Sequence, residues 1–356
     1  MGSCQSEDPG VIPARMSGMQ LTAHGGPEVL VWNDRIAVPR PGPGEVLVQV
    51  LAAGVNATDI NTRIGWYAKA GAPEAGGWAG AIAFPRIQGS DLCGRVVALG
   101  AGVEGLRLGA RVICPTNQAE ATADNPLAFR SIGSEFDGAF AGFCVVGAQH
   151  LHDVSASVLS DIEIGAMPCA YGTAFNLLSR SGVRAGEKVL ITGASGGVGL
   201  AAVQLAVLRG ARVAGQCAVA KAAVVRGAGA KVIDRESIPE PRAYDVVIDV
   251  IGGAGWGARL EALRPGGRYA VSGAIAGAMV EGDLRTVYLN DLTLFGCTHQ
   301  SRETFAGLVT LINTGQVRPV VAKIYPLREM AAAQADLAAG RYPGKLVLVP
   351  SESTHV

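Results

Sequence analysis

The sequence predicts an α/β protein in which a β-rich region is followed by a doubly wound parallel sheet, and three observations point there. The first is a set of short β-branched runs, punctuated by glycine and proline, in the N-terminal third. The second is a change of pattern from about Glu187, where strand-like runs begin to alternate with helical ones, as in a parallel βαβ sheet covered on both faces. The third is the stretch "VLITGASGGVGLAAVQLA", Val189 to Ala206, in which a glycine-rich corner joins the first of those strands to an apolar helix.

The β-rich region reads from "EVLVQVLAAGV" (Glu45 to Val55), "CGRVVALG" (Cys93 to Gly100) and "GARVICP" (Gly109 to Pro115). After Glu187, "KVLITG", "RVAGQ", "KVI", "YDVVIDV", "GRYAVSG" and "LTLFG" read as strands, with helices such as "VGLAAVQLAVLRG" and "KAAVVRGAG" between them. The tail segments "RPVVAKIYPL" and "GKLVLVP" read as strands returning to the first region. The expected organisation is an N-terminal extension over 1–18, a β-rich domain over 19–160 and 318–356, and a parallel-sheet domain over 161–317.

Composition narrows the function classes. The chain has 356 residues, 49% hydrophobic and 17% charged, enough for two sizeable cores. Lys+Arg and Asp+Glu balance at 30 each, so no net field gathers nucleic acid or an anionic membrane surface. The start "MGSCQSEDPGVIPAR" lacks the apolar core of a secretory signal, and no apolar run is long enough to span a bilayer, so the expected location is cytoplasmic. The seven cysteines are scattered without a C-x-x-C pair, which argues against a disulfide framework and a structural zinc knuckle.

The corner, Gly193, Ala194, Ser195, Gly196, Gly197, Val198 and Gly199, fits dinucleotide binding. Gly196 lets the backbone approach a pyrophosphate, Gly199 lets the helix pack on the strand, and the helix N-terminus offers free N–H groups to the anion. No Lys-Ser/Thr follows, which excludes a Walker-type loop. At the end of the second strand, where an NAD site places an acid against the ribose 2′-OH, stand Gln216 and Cys217, with Lys221 just beyond. NADP(H) is therefore the expected cofactor, with Lys221 either on the 2′-phosphate or simply solvated.

These runs, with "GGPEVL", "PGPGEVLVQV", "GVNATDINTRIGWY", "FPRIQGSDLCGRVVALG", "GTAFNLL", "IDVIGG", "RPGGRYAVSG" and "GKLVLV" in order, resemble the medium-chain dehydrogenase/reductase superfamily, and within it the zinc-free quinone oxidoreductase and enoyl reductase-like branch. The resemblance implies a GroES-like catalytic domain built from both termini and a Rossmann domain between them. It also implies cofactor contacts at Thr173, Gly273, Gly344 and Lys345, and a homodimer paired through the apolar edge "LTLFGCT". For Thr173 an alternative is a helix N-terminal cap.

The superfamily's zinc alcohol dehydrogenases take metal ligands at positions that here read Asn56 and, in the segment matching G-H-E, Gly89-Ser90-Asp91; Cys169 does not fall in register with the third ligand. No metal is therefore expected. Without a Lewis acid the expected chemistry is hydride transfer to an activated acceptor, a quinone or an α,β-unsaturated carbonyl. Tyr67 is the candidate proton donor, with packing at a cleft edge as its alternative, and Asn56 the candidate holder of the nicotinamide or substrate oxygen. Asp59 and Arg63, four apart, read as a helical ion pair. Long loops over 68–83 and 115–140 stand where substrate would enter, with Trp78 and Phe129 as candidate lining. Alcohol dehydrogenase-type carbonyl chemistry and a non-catalytic NADPH-binding scaffold or sensor are the competing readings.

Overall fold

The computed structural model describes residues 12–68 and 76–350. Its second half is a six-stranded sheet, parallel at every pairing. The order across it is Lys231–Asp234, Arg212–Cys217, Lys188–Ile191, Tyr244–Asp249, Leu263–Val271 and Thr293–Gly296. Val189, Leu190, Ile191, Val246, Val247 and Ile248 are all fully buried, because helices cover both faces, and this explains why these strands read as continuous apolar runs without alternation. The helix Gly197–Leu208 is apolar on all but its Gln204 position and buries Ala202, Val203 and Leu205 in a core shared with the helices Pro168–Arg180 and Arg302–Asn313. The valine and the leucine each contribute about 1.5–3 kcal/mol by leaving water.

Strand order reverses between Lys188–Ile191 and Tyr244–Asp249, which opens a crevice at their carboxyl ends. Its floor is braced by Asp249, which accepts from Thr192 Oγ1 at 2.7 Å, Ile251 N at 2.9 Å and Arg259 Nη1 at 3.0 Å, and from the Tyr269 hydroxyl. Burial alone would raise the Asp249 carboxyl; these donors outweigh burial and hold it below the usual range.

The β-rich half is a seven-stranded sheet in which Glu45–Val55 is central. It pairs antiparallel with Cys93–Leu99, Phe143–Gly147 and the C-terminal strand Lys345–Val349, so the chain's end does return to the first region. Two elements correct the expected organisation. The strand Arg15–Leu21 begins inside the expected extension 1–18 and pairs with Leu30–Ala37; Met16, Met19 and Leu21 are buried, and Gly18 lies so close to the chain that a Cβ there would stand 2.8 Å from Ala141 Cβ. The loop 115–140 is partly regular, for Asn117–Ala119 and Phe129–Ser131 pair antiparallel. Residues 69–75 of the loop 68–83 lie outside the described residues. Among the described residues the six cysteines are free and buried, and no helix is long and apolar enough to cross a membrane.

Candidate functional site

The glycine corner sits at the crevice. Gly193 has φ +56°, a backbone state L side chains rarely adopt, and it turns the chain from strand to helix. A Cβ on Gly199 would lie 2.1 Å from Gly193 O, so the helix can approach the turn only without one. Ala194 is fully buried, and its N–H is fixed to Gln216 O at 2.9 Å. A Cβ on Gly196, by contrast, would meet nothing nearer than Gly193 O at 3.4 Å. Gly196 is the helix N-cap and brings no side-chain cap, so the N–H groups of Gly197 and Val198 open toward that space with the positive end of the helix dipole behind them. This cradle fits a pyrophosphate. Ser195 contributes its carbonyl, which accepts from Gly344 N at 2.8 Å. Gly273 closes the next strand but one, with a Cβ there 3.1 Å from Val250 O.

At the second strand's end, Gln216 is buried and donates to Ser237 O at 3.0 Å. Burial raises the neighbouring Cys217 thiol, with Asp234 adding to the rise and Arg226 and Lys221 opposing it. The Lys221 ammonium, exposed beyond the end of this strand, donates to Gly340 O and, at 3.3 Å, to Tyr342 O, partners on the C-terminal side of the chain. The spacing also concealed Asp234, whose place beside Cys217 on the adjacent strand brings an acid to this end of the sheet; its Oδ1 accepts from Glu236 N at 2.9 Å.

The second half of the site is a closed polar cluster where the two sheets meet. Asn56 Nδ2 donates to Asp91 Oδ2 at 2.9 Å and Ser90 Oγ at 3.2 Å, and Asn56 Oδ1 accepts from Lys345 Nζ at 2.5 Å. Asn56 is thus a link inside the protein with its donors spent, and not the direct holder of a substrate oxygen expected of it. Lys345 pairs with Asp91 at 2.9 Å with both side chains buried, so its ammonium faces the catalytic domain and not the pyrophosphate cradle, a second correction. Asp59 turns inward as well, accepting from Asn56 N at 2.8 Å and Ser90 Oγ at 3.1 Å, and makes no ion pair with Arg63, which donates to Gly25 O. Burial pushes the Asp59 carboxyl up to about 7; the bond from Asn56 opposes the rise, Asp91 adds to it, and the Lys345 charge opposes it. Cys169 belongs to the cluster despite its sequence register: its N–H donates to Asp91 Oδ1 at 2.5 Å, and burial followed by the Asp91 charge pushes its thiol up to about 12.

Tyr67 stands beside this cluster. Its hydroxyl lies 2.9 Å from Thr58 Oγ1, and its ring stacks on Trp78 with centroids 5.7 Å apart and planes 3° apart. Phe129 meets Trp78 edge-on at 6.4 Å, so the two loops converge on the tyrosine. They are clasped together by Trp78 N donating to Ser134 Oγ at 3.1 Å and Ala79 N donating to Glu135 Oε1 at 2.9 Å. Burial raises the Tyr67 phenol above its ordinary value, against the bonds with Thr58 and Asn61. Thr173 lies within the helix Pro168–Arg180, half-buried, and since the N-cap is Met167 the alternative of a capping role falls away. Thr58 and Gln88, whose amide donates to Asp59 O at 2.8 Å, lie inside the quoted motifs, but no charge or ligand spacing there singles them out.

Comparison with known proteins places this geometry. Residues 42–156 match the alcohol dehydrogenase GroES-like domain and residues 224–348 match a domain described as zinc-binding dehydrogenase. The chain is similar to the quinone oxidoreductase of Rattus norvegicus, at 29% identity covering 94% of this chain and 98% of that one. It is similar to the acryloyl-coenzyme A reductase of Metallosphaera sedula at 29% identity, covering 87% and 93%. A crystal structure from Sinorhizobium meliloti 1021, described as that of an alcohol dehydrogenase, superposes with a TM-score of 0.87 at 39% identity, covering 96% and 98%. The metal named in the second domain's description does not fit the residues here: an ammonium has no lone pair to give, and the amide and hydroxyl beside it are already bonded. With its GroES-like domain, its Rossmann sheet and its glycine cradle, the chain belongs to the quinone oxidoreductase-like branch of the medium-chain dehydrogenase/reductase superfamily, a family of nicotinamide-dependent oxidoreductases.

Proposed function

We propose that the protein is a zinc-independent, NADPH-dependent reductase that delivers hydride to an activated acceptor, a quinone or an α,β-unsaturated carbonyl. The observation that carries this reading is the cluster around Lys345, where ammonium, carboxylates, amide and hydroxyl close on one another in the place the family can use for a metal. Such a site polarises no simple ketone, so the acceptor has to be electron-poor already. The bound nicotinamide supplies the hydride. Gly196, Gly197 and Val198 bind its pyrophosphate, and Tyr67, kept protonated by burial, holds the proton for the developing enolate or quinol oxygen. NADPH preference is supported by the absence of an acid at Gln216 and Cys217 and by Arg226 and Lys221 nearby, and opposed by Asp234. The names of the two curated relatives fit an acceptor of this class.

Assembly and place follow the same reading. The edge strand Thr293–Gly296 with exposed Leu294, Leu289 and Tyr288 beside it favours a homodimer through that edge, while a cytoplasmic place without nucleic-acid or membrane partner is supported by the balanced charge alone. Light scattering that gives a single chain mass would refute the dimer.

The test of function is NADPH oxidation against a panel of quinones, enones, enals and simple ketones, with and without chelator. Turnover of the first three classes, unaffected by chelator, is expected. Stoichiometric zinc with chelator-sensitive alcohol oxidation would replace the reading with alcohol dehydrogenase chemistry, and NADPH binding without turnover would replace it with a sensor.

A further inference from the structure

Lys345 reaches across the molecule. Just before it, Gly344 N donates to Ser195 O at 2.8 Å, and Gly344 and Gly196 form a parallel bridge, so the dinucleotide corner is hydrogen-bonded to the end of the strand Lys345–Val349. The lysine stem then crosses the start of the corner helix, where a Cβ on Gly197 would sit 2.8 Å from Lys345 Cδ. Its ammonium ends on Val55 O at 3.1 Å, Asn56 Oδ1 at 2.5 Å and Asp91 Oδ2 at 2.9 Å. Through its other oxygen Asp91 holds Cys169 N, at the start of the helix that carries Thr173. One buried side chain therefore joins the corner, the Asn56–Tyr67 segment and that helix.

We infer that Lys345 is a positioning residue that transmits occupation of the dinucleotide corner to the Asn56–Tyr67 segment, an inference that rests on the cofactor reading above. Each proton of the ammonium has its own acceptor, in surroundings of low dielectric where charge-assisted bonds are strong. The segment cannot shift against Gly344 without breaking one of them. A displaced corner therefore displaces the segment, and an immobilised corner immobilises it.

Replacing Lys345 alone would leave Asp91 buried without its counter-charge, so the test variant is Lys345→Met with Asp91→Asn, neutral and close in volume. In the wild type, saturating NADPH should slow amide exchange over residues 53–67 as well as at the corner. In the double variant the NADPH Kd should stay within threefold of wild type, the slowing over 53–67 should fall at least fivefold, and kcat should fall at least tenfold with KM for NADPH within threefold. Slowing over 53–67 that survives in the double variant, or kcat within threefold of wild type, overturns the inference. Should the double variant not fold, Asn56→Ser removes one acceptor and keeps the ion pair; it is expected to lose part of the slowing, and full retention overturns the inference. A wild type that binds no NADPH refutes the proposed function and the inference together, whereas NADPH binding whose slowing stops at the corner refutes the inference alone.

Discussion

Tyr67→Phe separates chemistry from packing, because the two contributions of the side chain come from different atoms. The ring, stacked on Trp78 at 5.7 Å and edge-on to Trp66 at 5.4 Å, is kept in phenylalanine. What is lost is the hydroxyl and its 2.9 Å contact with Thr58 Oγ1, a hydrogen bond worth about 0.5–1.5 kcal/mol net. In a chain of this size such a loss lowers Tm by no more than about 4 °C. If the hydroxyl supplies the proton, kcat on an enone should fall roughly 10–1000-fold, or about 1.4–4 kcal/mol, whereas a folded protein that has lost only stability keeps its kcat. NADPH affinity should barely move, since no cofactor contact is removed. A quinone, able to take its proton from water, should be affected mildly. Stopped-flow NADPH oxidation with one substrate of each kind, alongside a thermal melt, decides the matter. A wild-type rate on the enone would remove Tyr67 from the chemistry whatever the melt showed.

Further outcomes follow from the same geometry. Gly199→Ala places a Cβ 2.1 Å from Gly193 O and 2.9 Å from Ala194 Cα, backbone that cannot yield, so stability should drop by about 1–3 kcal/mol or more; Gly196→Ala has room, should fold normally and should lose NADPH affinity alone, and identical behaviour of the two variants in melts would count against the cradle. NADPH should bind at least tenfold more tightly than NADH, about 1.4 kcal/mol, and Lys221→Ala, which frees the loop carbonyls of Gly340 and Tyr342, should erode that ratio; equal titrations for both cofactors in the wild type would end the argument. Because the Asp59 carboxyl is raised to about 7 in the fold from an ordinary 3.8, the unfolded chain ionises first as pH rises, so this group removes stability between about pH 4 and 7. The limit is roughly 4 kcal/mol. Urea denaturation at pH 5 and pH 8 should show that fall, and Asp59→Asn should flatten it; an unchanged slope in the variant would assign the fall to other groups.

The parallel sheet was readable because its strands are buried on both faces and its turn chemistry is local. The corner is the clearest case, since a residue-by-residue steric reading of Gly199 needs only its neighbours in sequence. The polar cluster was legible as a set of substitutions but not as an arrangement. Asn56, Ser90 and Lys345 are far apart in the chain, and nothing in their local patterns tells that the ammonium folds back onto the amide. The same limit explains the misread ion pair, because Asp59 and Arg63 satisfy the helical spacing while the Asp59 carboxylate is drawn away by Asn56 N and Ser90. It also explains Cys169, whose backbone and not its spacing brings it to Asp91. For Arg15–Leu21, alternation in "RMSGMQL" was weak because Gly18 occupies one of the packed positions.

A proton inventory is the ground on which Tyr67 is the proposed donor. Both hydrogens of the Asn56 amide are directed to protein acceptors, all three of the Lys345 ammonium are likewise committed, the Ser90 hydroxyl donates to Asp59 and the Thr116 hydroxyl donates to Ser90 O. Three protons are left around the cluster: one on the buried Cys169 thiol, one on Asp59 below about pH 7, and the one of the two Thr58 and Tyr67 hydroxyl protons that their mutual bond does not use. Asp59 is fully buried and bonded on both oxygens, so it can hold a proton but has no open path along which to give it. In the Thr58–Tyr67 pair either oxygen can donate, and when Thr58 does so the phenol proton is free to point away from the protein. Trp66 meets the Tyr67 ring edge-on and Trp78 stacks on it, so the two rings fix the plane of the phenol. On the proposed function, the rings around Tyr67 orient the donor and the segment that begins at Asn56 carries it.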